Sequence, residues 1–154
     1  MHGRETVSLT AMETYLDGLR GKRIAVIGIG ISNTPLIKLL LQAGLDVTAC
    51  DKNSRESFGA LADELEGLGA KLVLGPDYLE NLDHDVIFRT PGMHPDTPAL
   101  AKARERGSRI TSEMEAFFQV CPCKIIAVTG SDGKTTTTTI ISELLKAAGY
   151  RTYV

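Results

Sequence analysis

Near the C-terminal end of the chain, Gly130-Ser131-Asp132-Gly133-Lys134-Thr135 brings together what holding a phosphate chain requires. Two glycines bracket a turn that needs backbone freedom and close approach. Lys134 adds a mobile positive charge, and the hydroxyl that follows it can ligate Mg²⁺. Thr135 opens a helical pattern, whose first amides lack partners within the helix. With the helix dipole they make an anion site. The chemistry is that of a nucleotide triphosphate bound by its phosphates. The spacing is shorter than G-x-x-x-x-G-K-[ST], since Val128 stands where the first glycine would fall. A glycine turn that merely carries Gly-Lys-Thr is the alternative. Asp132 would repel phosphates unless it faced Mg²⁺ or water.

A second constellation lies earlier. Gly28-Ile29-Gly30-Ile31-Ser32-Asn33 follows an apolar run, and Asp51 closes the next one. Two glycines after a strand and an acid after the following strand are most of a dinucleotide fingerprint. Asn33 replaces the third glycine, which normally lets helix and strand pack closely. An NAD-type pose and a βαβ turn without a ligand therefore both remain open for this segment.

The elements that must position these residues follow from periodicity. Arg23–Ile27 predicts a first strand, and Leu36–Ala43 a helix with Ser32 or Asn33 as N-cap and Pro35 in its first turn. Asp46–Cys50 predicts the second strand. Phe58–Leu68 carries Leu61, Leu65 and Leu68 on one helical side, and Ala70–Leu74 and Asp85–Arg89 predict two more strands. A helix over Pro98–Arg106, a short strand at Arg109–Thr111 and a helix at Glu113–Val120 complete the pattern. Ser112 and Glu115 stand at capping-box spacing before that last helix. Alternating strands and helices imply a parallel α/β sheet, whose ligands bind beyond the carboxyl ends of the strands. Gly28–Asn33, Asp51–Asn53 and Thr90–Met93 all meet that condition.

Pro122 marks a boundary, so three segments are predicted. Residues 1–20 form an extension in which Leu9, Met12, Leu16 and Leu19 recur at helical spacing. Residues 21–121 form a Rossmann-like parallel-sheet domain. Residues 122–154 form the truncated start, strand–P-loop–helix–strand, of a P-loop ATPase-type domain. In that last segment Lys124–Val128 predicts a strand, the helix runs from Thr135 to about Gly149, and Arg151–Val154 begins another strand. One βαβ unit cannot cover both faces of its strands, which predicts a longer parent protein.

Composition narrows the classes. The 154 residues carry a formal net charge of −2, which gives no polyanion-binding surface and disfavours nucleic acid as a partner. There is no apolar run of membrane-spanning length and no signal-peptide core, so a cytoplasmic location without membrane insertion is expected. Cys50, Cys121 and Cys123 are an odd count in a chain without a secretory signal, which argues against a disulfide framework, and His2, His84 and His94 are scattered.

In order, G-I-G-I-S-N, an acid after the second strand, T-P-G-M, S-E-M-E-A-F-F and T-G-S-D-G-K-T-T-T-T-T resemble the Mur ligases of peptidoglycan synthesis. The closest likeness is to the branch that joins D-glutamate to UDP-N-acetylmuramoyl-L-alanine. The likeness spans about residues 22–154, roughly the first third of such an enzyme. Folylpolyglutamate synthases share the short loop but lack the domain before it. The resemblance implies that ATP phosphorylates the substrate carboxylate. The D-glutamate amine then attacks the acyl phosphate, giving an amide, ADP and phosphate. It further implies Lys134 on the β- and γ-phosphates, Thr135 on Mg²⁺, and Gly130, Ser131, Asp132, Gly133 and Thr136 in the phosphate cradle. The five threonines, Thr135–Thr139, would turn hydroxyls toward amides and metal. For the uridine nucleotide it implies Gly30, Ile31, Ser32, Asp51, Lys52, Thr90 and Gly92. The remaining metal, adenine and D-glutamate contacts are expected beyond residue 154, so the chain alone is expected to be inactive. An NAD-binding oxidoreductase domain and a non-enzymatic nucleotide-binding module are the rival readings.

Overall fold

The structure is a computed structural model and describes residues 11–154. The chain divides into two compact units, Met1–Pro122 and Cys123–Val154.

In the first unit, residues 11–17 are helical (α1), and Leu9 of the expected extension lies outside the described residues. The remaining order is β1 (Arg23–Ile27), α2 (Asn33–Gln42), β2 (Asp46–Asp51), a 3₁₀ turn (Arg55–Ser57), α3 (Ala60–Gly67), β3 (Lys71–Leu74), β4 (Val86–Arg89), α4 (Pro98–Glu105), β5 (Arg109–Ser112) and α5 (Glu113–Val120). The five strands pair in parallel, in the order β3-β2-β1-β4-β5. The chain moves outward from β1 to β3, then returns to start again on the other side of β1 with β4. The β1/β4 junction is the topological switch point, where an open α/β sheet leaves a crevice.

The central strands are apolar on both sides because both faces are covered. Side chains alternate along a strand, so β1 divides its residues between two cores. Ile24 and Val26 join Val47, Ala49, Val86 and Phe88 beneath Leu36, Ile37 and Leu40 of α2, Leu65 of α3 and Ala116 of α5. Ala25 and Ile27 join Cys50, Ile87, Leu100 and Ala103 on the opposite face, beneath α4. Tyr15 and Leu16 of α1 pack against the first core, so the described part of the extension contributes to the domain.

α2 begins at Asn33 with Ser32 as its N-cap and Pro35 in its first turn, as expected, while the apolar pattern itself begins at Leu36. One helix start differs from expectation. α3 begins at Ala60, preceded by the 3₁₀ turn, with Gly59 at φ 50°. Leu65 is buried as predicted, whereas Leu68 at its C-terminal end is exposed.

The second unit contains one regular element, α6 (Lys134–Ala147). The strands expected at Lys124–Val128 and Arg151–Val154 do not form. A strand is defined by ladder hydrogen bonds, and within this unit neither segment has a strand partner. Ile125 and Ile126 accordingly remain exposed. The C-terminal tail is held to α6 by hydrogen bonds from Tyr150 N to Leu145 O at 2.9 Å and between the Ser142 and Thr152 hydroxyls at 2.9 Å.

Candidate functional site

The crevice at the carboxyl ends of β1, β2 and β4 is built by backbone hydrogen bonds that only tertiary contact can supply. Gly28 N donates to Cys50 O at 2.7 Å, so the turn after β1 begins by gripping β2. Asp51, at the end of β2, is buried and spends both carboxylate oxygens on backbone amides. Oδ2 accepts from Ile29 N at 2.8 Å and Oδ1 from Asn53 N at 2.9 Å. Its own carbonyl accepts from Gly75 N at 2.9 Å, which adds the segment after β3. Asp51 therefore ties three loops together. Its side chain acts first as a latch on the wall of the crevice, and Lys52 beside it is exposed.

On the first turn, Gly30, Ile31 and Ser32 face outward, and Ile31 is 98% exposed. An isoleucine so placed has no apolar neighbour among the described residues to pack on. Thr34 N donates to Gly30 O at 2.9 Å and starts α2. Ser32 occupies the N-cap without a side-chain capping bond, and α2 has no acidic residue in its first turn. Its first amides are thus open to an anion. α5 shows the opposite arrangement: Ser112 Oγ accepts from Glu115 N at 3.2 Å, and Glu113 and Glu115 sit in the first turn. The predicted capping box is half made there, because the Glu115 carboxylate accepts from the Thr111 hydroxyl at 2.9 Å.

Asn33 sits at the floor of the crevice. It is 2% exposed, and its Nδ2 donates to Ile27 O at 2.9 Å. Its Oδ1 is buried without a hydrogen-bond partner. Leaving a buried acceptor unmet costs about 1–3 kcal/mol. Gly28 has φ 91°, a region that disfavours any side chain. A Cβ there would also stand 3.2 Å from Thr90 Cβ. Thr90 is half-buried at the start of the opposite wall, where Met93 N donates to Thr90 O at 3.0 Å and closes a turn that exposes Gly92. Gly30, Ile31, Ser32, Asp51, Lys52, Thr90 and Gly92 thus lie on the loops at the carboxyl end of one sheet. Sequence reasoning did not find the latch made by Asp51 or the internal bond made by Asn33. The missing third glycine was the one available signal for the latter.

The second candidate site belongs to the other unit and is local to one loop. Gly130 (φ 152°) and Gly133 (φ 72°) take backbone conformations that favour glycine. Gly133 is the N-cap of α6, which has neither a side-chain cap nor an acid in its first turn. Lys134 folds back so that Nζ donates to Gly130 O at 2.5 Å and Ser131 O at 3.0 Å. Ser131, Asp132, Thr135 and Thr136 are exposed around it. The threonine run departs from expectation. The Thr138 and Thr139 hydroxyls donate to the carbonyls of Lys134 and Thr135, at 2.8 and 2.9 Å, rather than facing amides or metal. These two residues lie inside the helix, where the carbonyl four residues back can accept the hydroxyl alongside its helical N–H bond. Among the described residues no group of three or more His, Cys, Asp or Glu side chains is arranged to hold a metal ion.

The sequence profile of the Mur ligase MurD-like N-terminal domain matches residues 22–112, which contain the whole crevice. The chain belongs to that family. Among curated proteins, this MurD-like chain is 55% identical over 141 residues to a UDP-N-acetylmuramoylalanine–D-glutamate ligase of Clostridium botulinum (strain Okra / Type B1). It is 54% identical over 141 residues to the enzyme of the same name from Clostridium novyi (strain NT). Each alignment covers 91% of the chain but 31% of the relative, so the chain spans about a third of the length of these proteins. Two solved structures resemble the MurD-like chain at 28% identity. One is a murein peptide ligase from Psychrobacter arcticus, with a TM-score of 0.55 over 84% of this chain and 27% of the other. The second is a UDP-N-acetylmuramate–alanine ligase from Thermotoga maritima, with a TM-score of 0.53 over 81% and 29%. No helix among the described residues is long and apolar enough to cross a membrane.

Proposed function

We propose that the chain is the N-terminal portion of an ATP-dependent ligase that adds D-glutamate to UDP-N-acetylmuramoyl-L-alanine in the cytoplasm, during peptidoglycan synthesis. The observation that carries this reading is the 55% identity to ligases of that name across both glycine loops. On this reading residues 1–20 are an extension, 21–121 bind the sugar nucleotide, and 122–154 begin the ATP-binding central domain.

The crevice suits a uridine diphosphate group. The uncapped start of α2, with Gly30, Ile31 and Ser32, offers amides to the diphosphate. Ile31 supplies an apolar surface for the ligand to cover. Asp51 and Lys52 stand on one wall and Thr90 and Gly92 on the other. Asp51 acts mainly by holding the Ile29 amide in place, with unused lone pairs left to accept from the ligand.

In the second loop, the residues present fit the triphosphate of ATP. Gly130 and Gly133 shape the turn, and Ser131, Asp132 and Thr136 flank it. Lys134, now satisfied by two carbonyls, would exchange them for phosphate oxygens, and Thr135 would offer its hydroxyl to Mg²⁺. When bound, ATP and Mg²⁺ supply the phosphoryl group and the charge neutralisation that activate the substrate carboxylate. Lys134 and Thr135 are the catalytic candidates on this chain. The 154 residues by themselves are expected to release no ADP in response to D-glutamate and the muramyl substrate.

Titration of the ¹⁵N-labelled chain with UDP, with NADH as the comparison ligand, tests the reading. Saturable shifts at Gly30, Ile31, Ser32 and Asp51 with UDP are expected. A response to NADH but not to UDP would replace this reading with a dinucleotide-binding one.

A further inference from the structure

The crevice holds a buried polar atom that neither wall uses. Asn33 stands where a third glycine would let α2 pack closely on β1. Its amide instead fills that space, donating through Nδ2 to Ile27 O at 2.9 Å. Its Oδ1 is left buried and without a partner. The bare Cα of Gly28 marks the gap beside it. Of the three atoms nearest the point where a Gly28 Cβ would stand, two belong to Thr90, Cβ at 3.2 Å and Oγ1 at 3.5 Å, and the third is Asn33 Nδ2 at 3.8 Å. Asn33 at the start of α2 and Thr90 on the loop after β4 therefore border one gap, at the switch point between β1 and β4.

We propose that Asn33 is a positioning residue for the ligand of this crevice: when the ligand draws the β1 and β4 loops together, the Thr90 hydroxyl donates to Asn33 Oδ1 and locks the two walls. The proposal rests on the uridine nucleotide reading. Three arguments support it. Oδ1 is buried without a partner, and Thr90 brings a hydroxyl donor to the same gap. A phosphate oxygen is no donor, so the ligand's diphosphate cannot satisfy it directly. A threonine hydroxyl re-aims by rotation about a single torsion, and Thr90 already borders the gap. A third glycine would allow close packing but could not form this bond. The asparagine thus exchanges close contact for a contact that is made only in the closed state.

The test is a UDP titration of the full 154-residue chain labelled with ¹⁵N and ¹³C. The expected result is that Asn33 Cγ and its side-chain amide shift with the same affinity as the Gly30, Ile31 and Ser32 amides. Thr90→Val should abolish the Asn33 Cγ response and weaken UDP binding about fivefold, the loss of one neutral hydrogen bond. Thr90→Ser, which keeps the hydroxyl, should restore both. Backbone shifts with an unmoved Asn33 Cγ would overturn the proposal and leave the nucleotide reading standing. So would a Cγ response that persists in Thr90→Val. No shift at Gly30–Ser32 or Asp51 would overturn both.

Discussion

Removing the Asp51 carboxylate should loosen the crevice before it affects any ligand, and the two obvious substitutions should differ in a predictable order. Asp51 accepts from Ile29 N at 2.8 Å and from Asn53 N at 2.9 Å. Ile29 is buried, whereas Asn53 is exposed and can turn its amide to water. Asparagine keeps one acceptor oxygen, which should stay on the buried Ile29 amide, and presents its NH₂ toward Asn53. Asp51→Asn thus loses one charge-assisted bond at a wet position, about 1–1.5 kcal/mol. Asp51→Ala also strands the Ile29 amide in a buried turn, for a total of about 3 kcal/mol. With a urea slope of about 2 kcal/mol/M, the midpoints should fall by roughly 0.6 M and 1.5 M. Urea unfolding followed by far-UV circular dichroism measures both, and hydrogen exchange at Ile29 should speed up markedly only in Asp51→Ala. An alanine variant within about 0.5 kcal/mol of the parent, or an asparagine variant less stable than the alanine one, would refute the latch.

Gly28→Ala combines a positive φ with a Cβ 3.2 Å from Thr90 Cβ, and is expected to destabilise the domain by about 2 kcal/mol in thermal unfolding. Ser112→Ala removes the acceptor of the Glu115 amide and should cost about 1 kcal/mol in the same assay, with Ser112→Asp close to the parent. Burial, with a smaller contribution from the Asp51 charge, pushes the Cys50 thiol up to about 11. The raised value means that the folded chain holds this proton more tightly than the unfolded chain. The associated stability is full below pH 9 and is lost as pH rises through about 11. Cys50→Ala should flatten that alkaline loss in unfolding curves, and Cys50 in the parent should stay unmodified by a thiol reagent at pH 8 until urea unfolds the domain.

The sequence alone specified the sheet's components. The runs within Arg23–Ile27 and Asp46–Cys50 are mostly apolar because both faces of a central parallel strand are covered, and that pattern is local. The Ser112 cap and the loop positions of Gly28–Asn33 and Thr90–Met93 were legible for the same reason: each depends on residues a few positions apart. Only tertiary structure decided how those parts act. Asp51 resembled a ligand contact, but its carboxylate meets an amide 22 residues away, a partner that no local pattern announces. Asn33 read only as a departure from a motif, until the fold placed it over Ile27 O and beside Thr90. Lys124–Val128 has the composition of a buried strand, yet a strand exists only where a neighbour supplies the other half of its ladder, and these residues have none in their own unit. Pattern sets what a segment prefers, while pairing between distant segments determines whether that preference is met.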